Sequence, residues 1–330
     1  MFGDSYAQGN GDWLLTSNKW TNPPFASQHV LHQKLRRDVV TFAQPGAGSI
    51  RAMIAKPVFW RQELNSTIFY KLEDPEVILV YFYEGNDLND NLFEIRRFSD
   101  HYDLKKMYDP KDFRKFVDEF FIQKNKMGQQ IKPFQWYDNL IFLRCVKRMV
   151  RSFKNPKEIQ DFRPNLARKN RIIGNFNQAL INGKIKFLPD NLEGPSLELS
   201  QEELNLGAYV FKESLRYMFN LFPKSKVFVV YIPSVLSCYQ VVSQNVNIAT
   251  NKPNHNIYPS GMVEQRSHLI RNKIKRITED GGFIFIDTRP EIQKLAQREF
   301  IHGPLDWKHF NKDGYEALAE AIIPYLKNLN

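Results

Sequence analysis

The stretch Met1-Phe2-Gly3-Asp4-Ser5-Tyr6-Ala7-Gln8-Gly9 decides how the chain is to be read. It predicts a strand ending at Phe2, a sharp turn at Gly3, where the missing Cβ permits unusual dihedrals, and a helix beginning around Ser5. In that setting the Ser5 hydroxyl stands above the edge of a sheet, where a nucleophile has to stand. Taken alone, Gly-Asp-Ser equally describes a turn in which Asp4 or Ser5 caps a helix. The rest of the chain decides between the two.

Near the other end lies Asp306-Trp307-Lys308-His309-Phe310-Asn311-Lys312-Asp313-Gly314-Tyr315, leading into a helix. Asp and His three apart share one turn, so the carboxylate can orient the imidazole while its other nitrogen faces outward as a general base. Between the two ends, Val77-Ile78-Leu79-Val80-Tyr81-Phe82-Tyr83 is a nearly unbroken apolar run, the pattern of a buried parallel strand. It stops at Glu84-Gly85-Asn86-Asp87, which delivers an uncharged side-chain amide to a strand's carboxyl end.

These three motifs, in this order, resemble the SGNH (GDSL-type) hydrolase superfamily. A fourth block of that family, a glycine in the loop after the second strand, fits Thr41-Phe42-Ala43-Gln44-Pro45-Gly46-Ala47-Gly48-Ser49, with Gly46 the better match and Gly48 the alternative. The resemblance spans both ends of the chain but does not cover Leu88 to Leu206. It implies that Ser5 attacks an ester carbonyl, that His309 moves the proton and that Asp306 orients His309. It also implies an oxyanion hole made by the backbone N–H groups of Ser5 and Gly46 and the Asn86 amide, with Asp4, Gly85 and Asp87 as structural support. The oxyanion role requires a neutral donor, so Asp in place of Asn86 would repel the developing charge. No metal or other cofactor is implied.

The pattern between the motifs predicts a helix over Ala26 to Arg37, a strand over Asp38 to Phe42 and a helix over Ser49 to Gln62. Later come a helix over Leu206 to Phe222, strands over Lys226 to Ile232 and Phe283 to Asp287, and a helix over Gly261 to Asp280. A last helix runs from Asp313 to Leu329. Strand, crossover and strand in repetition indicate an α/β fold, three-layer α/β/α around a five-stranded mainly parallel sheet, the flavodoxin-like arrangement of the SGNH hydrolases. Residues 1–87 and 207–330 are expected to form the catalytic domain. Residues 88–206 are expected to form a large, basic, mostly helical insertion.

At 330 residues, with 42% apolar and 25% charged residues, the chain can bury a substantial core. Its net charge of +10 is uneven: Phe121 to Lys186 holds fifteen Lys and Arg against Asp138, Glu158 and Asp161, a local balance of 15 − 3 = +12. Within it, Trp136 to Lys154 puts Phe142, Val146, Met149 and Phe153 on one helical face and most of its cations on the other. That stretch suits an anionic membrane surface, an anionic glycan or a lid over the site, or it packs on the core with its cations in water. No nucleic-acid-binding motif accompanies the charge. Cys145 and Cys238 have no metal or redox spacing and read as two buried thiols, and Asn65-Ser66-Thr67 matches a glycosylation acceptor.

No apolar run reaches the ~18 residues of a membrane helix, and no leader precedes the first motif. Only Met1 and Phe2 stand before the turn, against ~5 residues for a usable strand. The sequence is therefore expected to be a fragment or to begin late, which leaves a secreted, periplasmic or membrane-associated location open. The leading functional expectation is a serine esterase that removes an acyl group, acetyl among the candidates, from a carbohydrate or lipid. Trp13, Trp20 and the polar loop Asn245 to Asn256 suit a sugar. The same residues also serve an O-acyltransferase that passes the group to a glycan hydroxyl, and a non-catalytic protein binding an anionic polymer or membrane surface is the alternative of a different class.

Overall fold

The computed structural model describes residues 1–12, 25–65, 71–98, 103–123, 176–250, 256–327 and 329. Trp13, Trp20, Cys145, the Trp136 to Lys154 stretch, Ser66-Thr67 and residues 251–255 lie outside them.

Among the described residues ten strands occur in chain order: β1 (Phe2–Gly3), β2 (Phe42–Ala43), β3 (Val77–Tyr83), β4 (Gln178–Ile181), β5 (Lys184–Phe187), β6 (Lys226–Ile232), β7 (Gln240–Val241), β8 (Asn245–Asn247), β9 (Ile257–Pro259) and β10 (Ile284–Asp287). Five of them form the central sheet in the order β10-β6-β3-β1-β2. Every pairing in it is parallel, from Phe2 opposite Phe42 and Val80 to Ile284 opposite Phe228.

The apolar run of β3 is buried on both faces because successive side chains point to opposite sides. Leu79, Tyr81 and Tyr83 join one core cluster, and Ile78, Val80 and Phe82 join the other. β6 divides in the same way, with Phe228, Val230 and Ile232 on the first face and Val227, Val229 and Tyr231 on the second. Helices Ser27–Leu35, Arg289–Ala296 and Lys312–Lys327 supply buried residues to the first cluster. Helices Asp87–Arg96, Gln201–Leu221 and Gly261–Asp280 supply the second. The result is a three-layer α/β/α fold, and each large apolar side chain it buries contributes roughly 1.5–3 kcal/mol.

Some elements differ from the sequence reading. The second strand is not Asp38 to Phe42 but Phe42–Ala43, because β1 offers it two paired residues. The helix expected from Leu206 begins at Gln201. A capping box starts it, with the Ser200 N–H donating to Glu203 at 2.9 Å and the Glu203 N–H donating to Ser200 Oγ at 3.2 Å. Helix Asp87–Arg96 buries Leu88, Leu92 and Ile95 in the core. The expected divisions at Leu88 and Leu206 therefore fall inside two core helices. The described part of the segment between them also contains the β4–β5 hairpin, which extends through β7 into a three-stranded antiparallel sheet. Part of the expected polar loop is the β8–β9 pair.

Candidate active site

Ser5 opens the short helix Ser5–Gln8 directly after β1. Asp4 caps that helix, its Oδ1 accepting from the Tyr6 N–H at 2.9 Å. Gly3 has φ +154, and a Cβ there would meet the Ala7 Cβ at 2.8 Å and the Tyr81 Cβ at 3.0 Å. Only glycine lets the chain reverse this close to β3. The reversal lifts Ser5 Oγ to the carboxyl edge of the sheet, where the residue is 7% exposed.

The loop before the last helix brings two more side chains to the same point. His309 Nδ1 lies 2.6 Å from Asp306 Oδ2, and His309 Nε2 lies 2.8 Å from Ser5 Oγ. The tautomer that satisfies both contacts has Nδ1–H donating to the carboxylate and Nε2 accepting from the hydroxyl. Asp306 is itself held by the Lys308 N–H, which donates to its Oδ1 at 2.9 Å. Tyr6 braces the loop from below: its hydroxyl donates to the Lys308 carbonyl at 2.7 Å and its ring centre lies 5.4 Å from that of His309.

The electrostatics follow from this packing. Burial alone would raise the Asp306 carboxyl, but the His309 hydrogen bond and charge hold it below the ordinary value. Burial alone would lower His309, but the Asp306 bond and charge, aided by the Glu193 and Asp4 carboxylates, raise it. Each partner favours the charged form of the other. The arrangement can take a proton from a hydroxyl at Ser5 and stabilise the imidazolium that results.

The remaining predicted residues lie on neighbouring strand ends. Asn86 precedes helix Asp87–Arg96 at its cap position, yet its side chain makes no capping bond and its Oδ1 is buried without a hydrogen-bond partner. Asp87 Oδ2 accepts from the Tyr83 N–H at 2.8 Å, which ties the start of the helix to the end of β3. Gly85 leaves room for the Tyr83 ring, whose hydroxyl a Cβ would approach to 2.6 Å. Gly46 occupies the turn after β2, close in chain to Gln44, whose N–H donates to the Gly3 carbonyl at 3.2 Å. Its φ is +62, while Gly48 is tightly packed: a Cβ there would meet the Asp90 backbone at 2.8 Å. The two candidate glycines thus answer different demands, turn conformation at Gly46 and helix contact at Gly48.

The sequence profile of the GDSL-like Lipase/Acylhydrolase family matches residues 1–322. The chain belongs to this family. The family is part of the SGNH hydrolase superfamily, and it makes the protein a carboxylic ester hydrolase, with acyl transfer to another acceptor left open. No match is found among curated proteins.

The structure adds residues to the acylhydrolase site that the sequence reading passed over. Asp12 Oδ1 accepts from the Leu305 N–H at 3.1 Å and from the Asp306 N–H, fixing the loop that carries Asp306. Glu193 accepts from the Tyr83 hydroxyl at 2.8 Å and lies 3.8 Å from Lys308 Nζ. Glu84 is fully buried and accepts from Tyr231, Ser234, Ser237 and Ser267 at 2.6 to 3.3 Å. Burial raises its carboxyl, and the hydroxyl bonds and Arg289 oppose the rise. Only Glu84, which interrupts an apolar run, carried a signal in the sequence. Asp12 and Glu193 are ordinary loop residues until the fold brings them to the site.

Cys238 is a free, buried thiol whose ionisation burial pushes well up. Among the described residues no three His, Cys, Asp or Glu side chains cluster as a metal site would need, and no helix is long and apolar enough to cross a membrane.

Proposed function

We propose that the acylhydrolase is a serine esterase that cleaves an acyl ester of a carbohydrate or lipid through a covalent acyl-enzyme. The observation that carries this reading is His309, which reaches Asp306 at 2.6 Å and Ser5 at 2.8 Å in one chain of contacts. Ser5 Oγ attacks the ester carbonyl as His309 Nε2 takes its proton. The tetrahedral intermediate collapses when the same proton passes to the leaving alkoxide, freeing the alcohol and leaving the acyl group on Ser5. Water then attacks that ester with His309 again as base, and the carboxylic acid departs.

The oxyanion formed in both steps is assigned to the N–H groups of Ser5 and Gly46 and the Asn86 amide. An Asn86 amide that does not cap its helix supports that role, since each such donor is typically worth ~3 kcal/mol of barrier. The test is labelling with a serine-reactive fluorophosphonate together with p-nitrophenyl acetate hydrolysis. The parent should label and turn over, and Ser5→Ala should lose both. A parent that does neither would remove the esterase reading.

A further inference from the structure

Glu193 reaches the catalytic centre from a segment fixed on both sides. Leu192 before it is buried and bridges to Ile248, a Cβ on Gly194 after it would meet the Ile248 side chain at 3.1 Å, and the Glu193 carbonyl accepts from the Leu236 N–H at 3.1 Å. A side chain rooted in so firm a backbone has a defined direction. Its Oε2 accepts from the Tyr83 hydroxyl at 2.8 Å, and the Tyr83 ring centre lies 4.2 Å from that of Tyr6, which in turn lies 5.4 Å from that of His309. Its Oε1 lies 3.8 Å from Nζ of Lys308, the residue before His309, too far for a hydrogen bond, and among the described residues this oxygen has no hydrogen-bond donor.

The charge at this position is not cancelled by its neighbour. The Lys308 side chain is 59% exposed, so water screens most of the ammonium, whereas the Glu193 side chain is 16% exposed and acts inward. Burial opposes ionisation of His309 and Asp306 leads in favouring it, but the Glu193 carboxylate raises His309 as well. Burial leads in raising the Asp4 and Asp90 carboxyls, and Glu193 adds to both. The groups whose charges raise His309 are thus three carboxylates, Asp306, Glu193 and Asp4. Although the chain carries a net +10, the immediate surroundings of Ser5 hold more carboxylates than cations, and charges within a Debye length of about 10 Å outweigh the distant excess.

We infer that Glu193 is a specificity-determining residue, which selects esters whose alcohol is neutral or cationic and rejects those whose alcohol carries an anion. This rests on the esterase reading, in which His309 returns its proton to the leaving oxygen, so that the alcohol departs on the side where Lys308 and Glu193 lie. An anionic group there meets a mostly buried carboxylate, a repulsion that discriminates without any new contact. A hydroxyl or ammonium instead finds Oε1 able to accept a hydrogen bond.

The test compares three acetate esters on the full chain: phenyl acetate, m-acetoxybenzoate with an anionic alcohol, and m-(trimethylammonio)phenyl acetate with a cationic one. For each protein the kcat/KM of the charged esters is divided by that of phenyl acetate, which removes any effect common to all three, such as a loosened Tyr83 contact. Glu193→Gln, which keeps an acceptor for Tyr83, should raise the anionic ratio and lower the cationic one by roughly three- to thirtyfold each. Lys308→Gln should move both ratios the opposite way by a smaller factor, its charge being more exposed, and gives the second reading if Glu193→Gln folds poorly. Ratios in Glu193→Gln that stay at the parent values or move together, or the same result in Lys308→Gln should the first variant not fold, would overturn the inference and leave the esterase standing. A parent that hydrolyses none of the three and takes no fluorophosphonate label would remove the esterase reading and this inference with it.

Discussion

Ser5 and His309 are 304 positions apart in the chain, and their side chains meet at 2.8 Å. The contact exists because β1 sits inside the sheet while the loop before the last helix crosses the carboxyl edge above it, pinned by the Tyr6 hydroxyl and by Asp12. A hydroxyl so placed loses its proton only to a neutral imidazole, and that requirement sets the first prediction.

The acid limb of kcat/KM should follow His309, with a midpoint above the ordinary histidine value of about 6.5, since the Asp306 bond and charge raise it. Asp306→Asn removes that anion, so the limb should move to lower pH while kcat falls by roughly 10⁴-fold. The same shifts enter stability with opposite signs. His309, raised, contributes stability that is full below its unfolded value and is lost as pH rises through its folded value. Asp306, depressed, contributes stability present above its unfolded value and lost as pH falls through its folded value. The loss of Tm caused by Asp306→Asn should therefore be largest between about pH 4 and 6.5. A pH profile of p-nitrophenyl acetate hydrolysis and melting curves for both proteins check this.

Asn86→Ala should lower kcat by roughly 10²–10³-fold with little change in KM, because an oxyanion donor acts in the transition state. Asn86→Asp should recover nothing. A purely structural Asn86 would instead show a lowered Tm with kcat nearly intact, and steady-state kinetics beside a melting curve separates the two.

Asp90 should make the protein less stable as pH rises from about 4 to 7. Burial first, then the Asp4, Glu94 and Glu193 carboxylates, push its carboxyl up to about 7. The folded state thus binds a proton that the unfolded chain has already released, and stability falls across that window. Asp90→Asn should flatten the fall, by a few kcal/mol at most. Urea unfolding at pH 5 and pH 8 measures the difference, and a parent slope retained in the variant would exclude Asp90 as its source.

Gly3→Ala should cost about 2 kcal/mol or more, since it combines a strained backbone with a Cβ pressed on Ala7 and Tyr81. The loss should appear in stability and in activity together, because the same turn carries Ser5. Thermal unfolding with fluorophosphonate labelling of the folded fraction reads both.

Much of the candidate site is legible in short local patterns. Gly-Asp-Ser, the strand ending in Gly-Asn-Asp, and Asp306 three residues before His309 each depend on a single turn or strand end, whose geometry adjacent residues determine. Strands β3 and β6 were equally plain, because a strand buried on both faces has to be apolar throughout. The boundaries of β2 and of helix Gln201–Leu221 were misplaced for separate reasons. A strand's paired length is set by its neighbour, and the helix starts at the capping box Ser200-Gln201-Glu202-Glu203, ahead of its most apolar residues.

The amino-acid sequence by itself determined the family and the parallel α/β architecture, and it named Ser5, Asn86, Asp306 and His309 as candidates. Periodicity and turn chemistry act over a few residues and survive without knowledge of the rest. Only the tertiary structure decided that Asp12 holds the Asp306 loop, that Glu193 faces Tyr83 and Lys308, and that Glu84 gathers four hydroxyls in the interior. Those contacts join residues about a hundred or more positions apart, and such pairs are chosen by how layers pack on a sheet, which leaves no periodic trace along the chain.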